Sequence, residues 1–352
     1  MSNTPLLAVR GLSKHFVASR TWLGRPDAIV CAVDGVSFTL NAGETLALVG
    51  ESGCGKSTVG RLVLDLIEPS GGEVLFQGRP VHALEGADRQ RLRADAQLIF
   101  QDPYGSLNPR MTVAETLAEP LQLHTDMTKV DRALRVAELL TTVGLKPQQA
   151  SRYPHEFSGG QRQRIAIARA LSAGPKLIVC DEPVSALDVS IRAQVLNLLA
   201  DLQQTYGLAY IFISHDLSVV RHIADRVAVM YLGRIVETAA TDALFRAPLH
   251  PYTQALLSAV PVPVAGANRK RRILPGDPPS PLAPPPGCHL NPRCPHVSDL
   301  CRTTVPELTT EPDGHAVACH HWRESGAGDF VASTDAQPSD TLKRLLSAFT
   351  SA

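Results

Sequence analysis

A stretch of glycines, hydroxyl side chains and one lysine carries the clearest chemistry in this sequence. It matches the pattern G-x-x-x-x-G-K-[ST], in which glycines let backbone N–H groups converge on a phosphate. An apolar run of strand character precedes the stretch and a helix-forming run follows it, as the motif requires. ATP or GTP is therefore the expected ligand, with Lys56 reaching its β/γ oxygens and Ser57 offering a hydroxyl to Mg²⁺. The loop consists of Gly50, Glu51, Ser52, Gly53, Cys54, Gly55, Lys56, Ser57 and Thr58.

Polar side chains end three apolar runs that follow the loop. Gln101 comes just before a proline that stops strand pairing, Asp181 and Glu182 end a second run, and His215 follows a third. Parallel strands bring their carboxyl ends to one edge, where ligands of such sheets bind. There Asp181 would hold Mg²⁺ through water, Gln101 would touch the metal ion, and Glu182 would take a proton from an attacking water. A structural carboxylate pair and a structural histidine are the alternatives.

A helix start further along predicts a second anion site. Ser158 with Gln161 three residues later is the capping-box pattern, and Gly159 and Gly160 leave the N–H groups of the first turn uncovered. An ordinary capped helix would explain the serine and the glutamine. It would not explain two consecutive glycines, each of which costs about 1 kcal/mol in a helix interior.

Hydrophobic patterns indicate the elements that must position these groups. Short apolar runs before the loop and a hairpin at residues 71–78 indicate strands, with residues 18–30 as an inserted excursion. Residues 111 to about 145 have a helical pattern, with 3.6-residue spacing in Val130, Leu134, Ala137, Glu138, Leu139 and Leu140. The predicted fold class is α/β, with a phosphate-loop core sheet, an antiparallel β subdomain, a helical insertion and a small Pro-rich, Cys-containing C-terminal extension.

With these motifs in this order, residues 6 to about 245 resemble the nucleotide-binding subunit of an ABC transporter. The motif set is specific, because Ser-Gly-Gly-Gln-Arg-Gln directly ahead of a strand ending in Asp-Glu is seldom met elsewhere. One departure is Phe157, where leucine is commonest, and it replaces one apolar residue with another. The resemblance implies a head-to-tail dimer in which ATP lies between the phosphate loop of one subunit and the Ser158 helix of the other. Only one complete set of motifs occurs, so the second must come from an identical or paralogous chain.

The resemblance also implies roles for individual residues. Phe16 would stack on adenine, although a core or edge phenylalanine explains its position equally well. Gln101 would form the Q-loop, Glu182 would be the general base, Asp188 would be the D-loop acid and His215 the switch histidine.

The C-terminal part narrows the resemblance. Residues 250–261 look like the extension of the oligopeptide and dipeptide importer ATPases, a branch that includes nickel importers. This implies import of di- or oligopeptides, with a second ABC ATPase subunit, two transmembrane permease subunits and an extracytoplasmic solute-binding protein. The chain would lie peripherally on the cytoplasmic face of the inner membrane. Import of nickel or another small solute is one alternative, and a soluble ABC ATPase acting on ribosomes or DNA is another of a different class.

Four cysteines cluster in the extension, separated by five, six and 17 residues. In a cytosolic chain such clustering favours metal ligation over disulfides, but the spacing matches no paired zinc motif. Similar family members carry a [4Fe-4S] cluster here, and four thiolates suit one, so we rank it above zinc and above no metal. The predicted ligands are Cys288, Cys294, Cys301 and Cys319.

Composition sets limits on the partners. Lysine plus arginine and aspartate plus glutamate number 34 each, so no global field favours nucleic acid. No charged leader begins the chain, and no apolar run is long enough to span a bilayer. We divide it into an ATPase domain at 1–247 with a helical subdomain at about 103–172, an extension at 248–330 and a tail at 331–352. Four apolar residues at helical spacing, Leu342, Leu345, Leu346 and Phe349, predict a short helix in that tail.

Overall fold

Two β-sheets organise the chain. The computed structural model describes residues 4–20, 26–260 and 272–324. Within these ranges the smaller sheet is antiparallel with the order β2-β1-β4-β5, and the larger one is mixed with the order β11-β12-β10-β9-β3-β8-β7-β6. The strands are β1 (Leu7–Arg20), β2 (Pro26–Leu40), β3 (Thr45–Val49), β4 (Gly71–Phe76), β5 (Arg79–Pro80), β6 (Ala96–Ile99), β7 (Leu177–Asp181), β8 (Ala209–Ser214), β9 (Arg226–Tyr231), β10 (Arg234–Ala240), β11 (Thr309–Thr310) and β12 (Ala316–Val317).

Helices cover the larger sheet and form a separate layer beside it. Short 3₁₀ turns at Val81–Ala83, Pro147–Ser151 and Pro154–Glu156 join several of them. None of the helices in the described ranges combines the length and the apolar composition that a bilayer crossing requires. The helices are α1 (Lys56–Val63), α2 (Gly86–Asp95), α3 (Pro103–Ser106), α4 (Val113–His124), α5 (Lys129–Thr142), α6 (Gly159–Ser172), α7 (Val189–Tyr206), α8 (Leu217–Ile223), α9 (Thr241–Arg246), α10 (Pro251–Ser258) and α11 (Asp299–Thr303).

The centre of the larger sheet is parallel, and this aligns the strand ends. Strand β3 runs parallel to β8 and β9, and β7 runs parallel to β8 and β6. Every residue of β3, β7 and β8 is buried, which is why these strands are continuous apolar runs without alternation. In this register Val49 pairs with Ser214 and Asp181 pairs with Ile213. The residues that follow these strands therefore meet at one edge, as predicted.

The helical layer is formed mainly by α4, α5 and α6. Thr112 and Thr128 each begin a helix with a reciprocal capping box. Within the predicted helical pattern, Val130 and Leu134 are 69% and 61% exposed, whereas Leu139 and Leu140 are buried. The packed face of α5 carries Val136, Leu139 and Leu140, which are nearly inaccessible to solvent.

The smaller sheet differs from the sequence prediction at residues 18–30. Strand β1 continues to Arg20 and β2 begins at Pro26, with Phe16 paired to Val30 and Val17 to Ile29. Much of the expected excursion is therefore an elongated hairpin, whose repeated register shifts allow two long strands to twist together.

The C-terminal extension packs directly on the ATPase part of the chain. Tyr252 in α10 is fully buried in the same apolar cluster as Tyr231 and Leu290. Strand β12 pairs with β10, so residues far along the chain complete the larger sheet. The fully buried Glu237 of β10 accepts hydrogen bonds from the backbone N–H groups of Leu249 and His250 at 2.6 and 2.9 Å. Its carboxylate also lies 2.7 Å from His315 Nε2. The predicted terminal helix, with Leu342 to Phe349, lies outside the described residues.

Candidate nucleotide-binding site

The phosphate loop joins β3 to α1 in a backbone conformation that needs glycine at two points. Gly50 has φ 152° and Gly55 has φ 107°. A Cβ on Gly50 would lie 2.2 Å from the backbone oxygen of Met230, and one on Gly55 would lie 2.1 Å from that of Ala32. Because both neighbours are backbone atoms, neither clash can be relieved by a side-chain rotation. The glycines of the motif are thus required by close packing as well as by backbone freedom.

Lys56 reaches back across this loop. Its side chain is 5% exposed, and its Nζ donates to the backbone oxygens of Gly50 and Glu51, each at 2.9 Å. The same nitrogen lies 3.7 Å from the Sγ atom of Cys54. Burial raises the pKa of the Cys54 thiol, and the nearby ammonium partly opposes that increase. Cys54 is consequently a neutral, buried thiol at pH 7.

A hydroxyl and a carboxylate meet at the start of α1. Ser57 Oγ donates to Asp181 Oδ1 at 2.7 Å. Burial raises the pKa of Asp181, whereas the Ser57 hydrogen bond and the charges of Arg61 and Lys56 lower it. Oxygen ligands of this type suit Mg²⁺, which keeps several of its own waters. Ser57 and Asp181 are two of the three residues that the sequence predicts to hold the metal ion. The third, Gln101, lines the same cavity as Ser57, and metal binding by all three stays a prediction.

Glu182 lies at the centre of the polar edge. Its carboxylate accepts a hydrogen bond from Gln101 Nε2 at 3.0 Å, and its other oxygen is 3.1 Å from His215 Nδ1. The residue has φ 47°, an unfavourable conformation for a side chain larger than glycine, and its N–H is bonded to the oxygen of Ile213 at 3.0 Å. The chain thus bears local backbone strain at the carboxylate that the sequence predicts to be the general base.

A cavity of about 530 Å³ joins these groups, within the usual size range for small-molecule sites. Gln101, Glu182 and His215 form one wall, and the loop and the first turn of α1 form the floor. Two strand residues that the sequence analysis missed, Val30 and Ala32, form a further wall. Their only signal is their position on β2, which approaches the loop through tertiary packing. The full lining is Val30, Ala32, Ser52, Gly53, Gly55, Lys56, Ser57, Thr58, Gln101, Glu182 and His215.

Phe16 is not among the residues that line this cavity. It lies opposite Val30 on β1, is 39% exposed, and has Lys14 Nζ 5.2 Å from its ring centroid. An exposed aromatic ring beside the cavity wall is placed near the site. Stacking of Phe16 on adenine remains a prediction.

The Ser-Gly-Gly-Gln helix start lies elsewhere. Its capping box is formed, with Ser158 N–H donating to Gln161 Oε1 at 3.1 Å and Gln161 N–H to Ser158 Oγ at 3.4 Å. The described cavity is not lined by the residues of this helix start, Ser158, Gly159, Gly160 and Gln161, nor by the exposed Asp188. Nucleotide binding by these residues stays a prediction.

The four cysteines of the extension lie in one region. Burial raises the pKa of Cys288 to about 11 and that of Cys319 to about 12, and neighbouring thiols of the set contribute to both increases. The donor type suits a metal, but in the described part of the chain no three His, Cys, Asp or Glu side chains are arranged to hold one. The predicted [4Fe-4S] or zinc site therefore lacks support from this geometry.

Comparison with known proteins defines the class. The family profile described as ABC transporter matches residues 33–185, and that of the oligopeptide/dipeptide transporter C-terminal region matches residues 236–301. The chain is 50% identical over 345 residues to a probable peptide ABC transporter ATP-binding protein, y4tS, of Sinorhizobium fredii, covering 96% of this chain and 98% of the relative. It is 52% identical over 318 residues to the oligopeptide transport ATP-binding protein AppF of Bacillus subtilis, covering 90% and 97%. The chain belongs to the ABC transporter family of ATP-binding proteins.

Solved structures agree with this assignment. The dimeric post-hydrolysis structure of the ATP-binding cassette MJ0796, bound to ADP and Pi, matches with a TM-score of 0.60 and 28% identity. That match covers 67% of this chain and 98% of MJ0796. The predicted ABC-type α/β fold and the ATPase class are confirmed.

Proposed function

We propose that this chain is the ATP-hydrolysing subunit that powers import of di- and oligopeptides through a multisubunit ABC transporter. The observation that carries the ATPase part is the Glu182 carboxylate, held between Gln101 and His215 on the wall of the cavity that Lys56 and Ser57 line. The importer part is supported by the C-terminal match at residues 236–301 and by relatives named for peptide transport.

The residues divide the hydrolysis step among them. The loop N–H groups and Lys56 bind the phosphates, and Ser57 with Asp181 would hold Mg²⁺, which supplies charge stabilisation when bound. Glu182 accepts a proton from the attacking water. Gln101 and His215 fix the orientation of its carboxylate, because each contacts a different oxygen of that group. ADP and phosphate then leave the site.

The remaining partners follow from the same proposal. A second ABC ATPase subunit, with a paralogue favoured, would supply the Ser158 helix and Asp188 to each nucleotide. Two permease subunits and an extracytoplasmic binding protein would carry the peptide. The chain would lie on the cytoplasmic face of the inner membrane through its permeases.

We also propose that Cys288, Cys294, Cys301 and Cys319 bind a [4Fe-4S] cluster, with zinc as the alternative. The proposal rests on the donor type, four thiols of the extension that form no disulfide, and not on a preformed arrangement of ligands. Iron and acid-labile sulfide, each at about four atoms per chain, would support it in anaerobically purified protein. Zinc without acid-labile sulfide would favour the zinc site. Protein that contains neither iron nor zinc would refute both assignments.

Uptake measurements in a deletion strain test the proposed function. The strain is complemented with the wild-type gene or with Glu182→Gln, and labelled di- and oligopeptides are supplied with nickel as the competing substrate. Restoration of peptide uptake by the wild type alone supports the proposal. If the wild-type gene restores nickel uptake instead, the transported solute is nickel and not a peptide. If it restores neither peptide nor nickel uptake, a soluble ABC ATPase is favoured.

A further inference from the structure

The C-terminal extension reaches the phosphate loop through two residues that do not line the nucleotide cavity. They are Tyr252 in α10 and Arg293, which ends the turn at residues 289–293. Both contact Glu51, the second residue of the loop. Glu51 is not among the residues that line the nucleotide cavity, and its carboxylate contacts the extension instead.

Tyr252 holds the backbone of the loop. Its Oη accepts a hydrogen bond from the Glu51 N–H at 2.8 Å. The tyrosine is fully buried, and its ring packs against that of Tyr231 with centroids 4.6 Å apart. A buried, packed hydroxyl has one position, so this hydrogen bond fixes where the loop leaves β3.

Arg293 holds the side chain of the same residue. Its Nη1 donates to the two carboxylate oxygens of Glu51 at 3.4 and 3.3 Å and lies 3.4 Å from Tyr231 Oη. The guanidinium is about nine-tenths buried, whereas Glu51 retains partial exposure. A buried guanidinium is unfavourable without a counter-ion, so Glu51 and Arg293 constrain each other.

The third polar group of Glu51 faces the catalytic lysine. Its backbone oxygen accepts from Lys56 Nζ at 2.9 Å. A shift of Glu51 would therefore move a contact of the residue that binds the phosphates. The extension thus contacts the N–H group and the carboxylate of Glu51, and Lys56 contacts its backbone oxygen.

We propose that Arg293 and Tyr252 are positioning residues, through which the C-terminal extension fixes the phosphate loop in its ATP-binding conformation. The inference rests on the proposed function only in taking the ligand of the loop to be ATP. Neither residue touches the nucleotide cavity. Arg293 directly precedes Cys294, so a change in the thiol region would reach the loop by this route.

Nucleotide affinity of purified full-length variants tests the proposal. Binding of a fluorescent ATP analogue and steady-state ATPase kinetics are measured for the wild type, Arg293→Gln, Arg293→Lys, Glu51→Gln and Tyr252→Phe. Loss of the charged hydrogen bond should raise Kd and KM about tenfold, with kcat within about twofold. Arg293→Lys, which keeps the charge, should fall between the wild type and Arg293→Gln. Tyr252→Phe should weaken binding by a few-fold.

A double-mutant cycle separates positioning from general loss of stability. Combined Arg293→Gln and Glu51→Gln should bind ATP no more weakly than the worse single variant, because both remove one interaction. The exposed Arg302 of the same extension, changed to Gln, gives the matched control and should bind like the wild type. Additive losses, or wild-type affinity in Glu51→Gln, would overturn the inference. Absence of ATP binding by the wild type would instead overturn the proposed function.

Discussion

Replacement of Glu182 by glutamine should abolish turnover while leaving ATP binding intact. The amide has nearly the shape of the carboxylate, so the positions of Gln101 and His215 need not change. Phosphate binding depends on other groups, Lys56 and the loop N–H groups, none of which contacts Glu182 in the described hydrogen bonds. What the amide lacks is the ability to accept a proton from water.

The expected loss follows from that single deficiency. A positioned general base contributes about 10²–10⁴ to the rate. At about 1.4 kcal/mol for each factor of ten, this raises the barrier by about 3–5 kcal/mol. The value should lie in the upper part of this range, because two contacts, of 3.0 Å to Gln101 and 3.1 Å to His215, orient the carboxylate in the wild type.

Release of phosphate at saturating ATP, measured beside equilibrium nucleotide binding, checks this expectation. His215→Asn serves as the comparison, since it removes one orienting contact but keeps the base, and it should retain more activity than Glu182→Gln. Turnover by Glu182→Gln within tenfold of the wild type, with normal ATP affinity, would refute the assignment of Glu182 as the base.

Three further predictions follow from packing and burial. Gly55→Ala, whose Cβ would lie 2.1 Å from the oxygen of Ala32, should raise KM for ATP more than tenfold. Gly53→Ala, which has positive φ but no neighbour within 4 Å, should cost less, and equal effects would contradict the packing argument. Burial lowers the pKa of His250 to about 4. Between about pH 6.5 and 4 this histidine is therefore protonated in the unfolded chain but neutral in the folded one, so the free energy of unfolding decreases as the pH is lowered through that window. Urea unfolding at pH 7.5 and 5 should show about 2 kcal/mol less acid destabilisation in His250→Asn than in the wild type, and equal pH dependence would contradict this. Cys54, a buried thiol with a raised pKa, should react slowly with iodoacetamide at pH 7, and bound ATP should slow the reaction further. Alkylation of Cys54 should block ATP binding, and full binding by the modified protein would refute that role.

The polar edge of the larger sheet was predictable because each of its residues ends or follows a recognisable strand. Gln101, Asp181, Glu182 and His215 all come directly or almost directly after buried apolar runs, and parallel strands bring such ends together. The capping box at Ser158 was equally legible, because both of its partners lie within four residues. Local signals of this kind do not depend on the rest of the fold.

Other features depend on contacts between distant residues. Val30 and Ala32 reach the cavity only because β2 crosses the loop, and nothing in their own neighbourhood indicates this. The helical spacing of α5 includes the exposed Val130 and Leu134 as well as the buried Leu139 and Leu140, so spacing alone could not select the packed face. The contact of Arg293 with Glu51 joins residues 242 positions apart.

Strand β12 also has a consequence for the solubility of the protein. An uncovered sheet edge offers unpaired N–H and C=O groups to other chains and promotes aggregation. In the described structure β12 covers β10, and the short β11 follows it at the margin. A chain cut at residue 247 would expose β10 and would leave the buried Glu237 carboxylate without its three partners from the extension. The segment after residue 247 therefore covers an edge of the ATPase sheet.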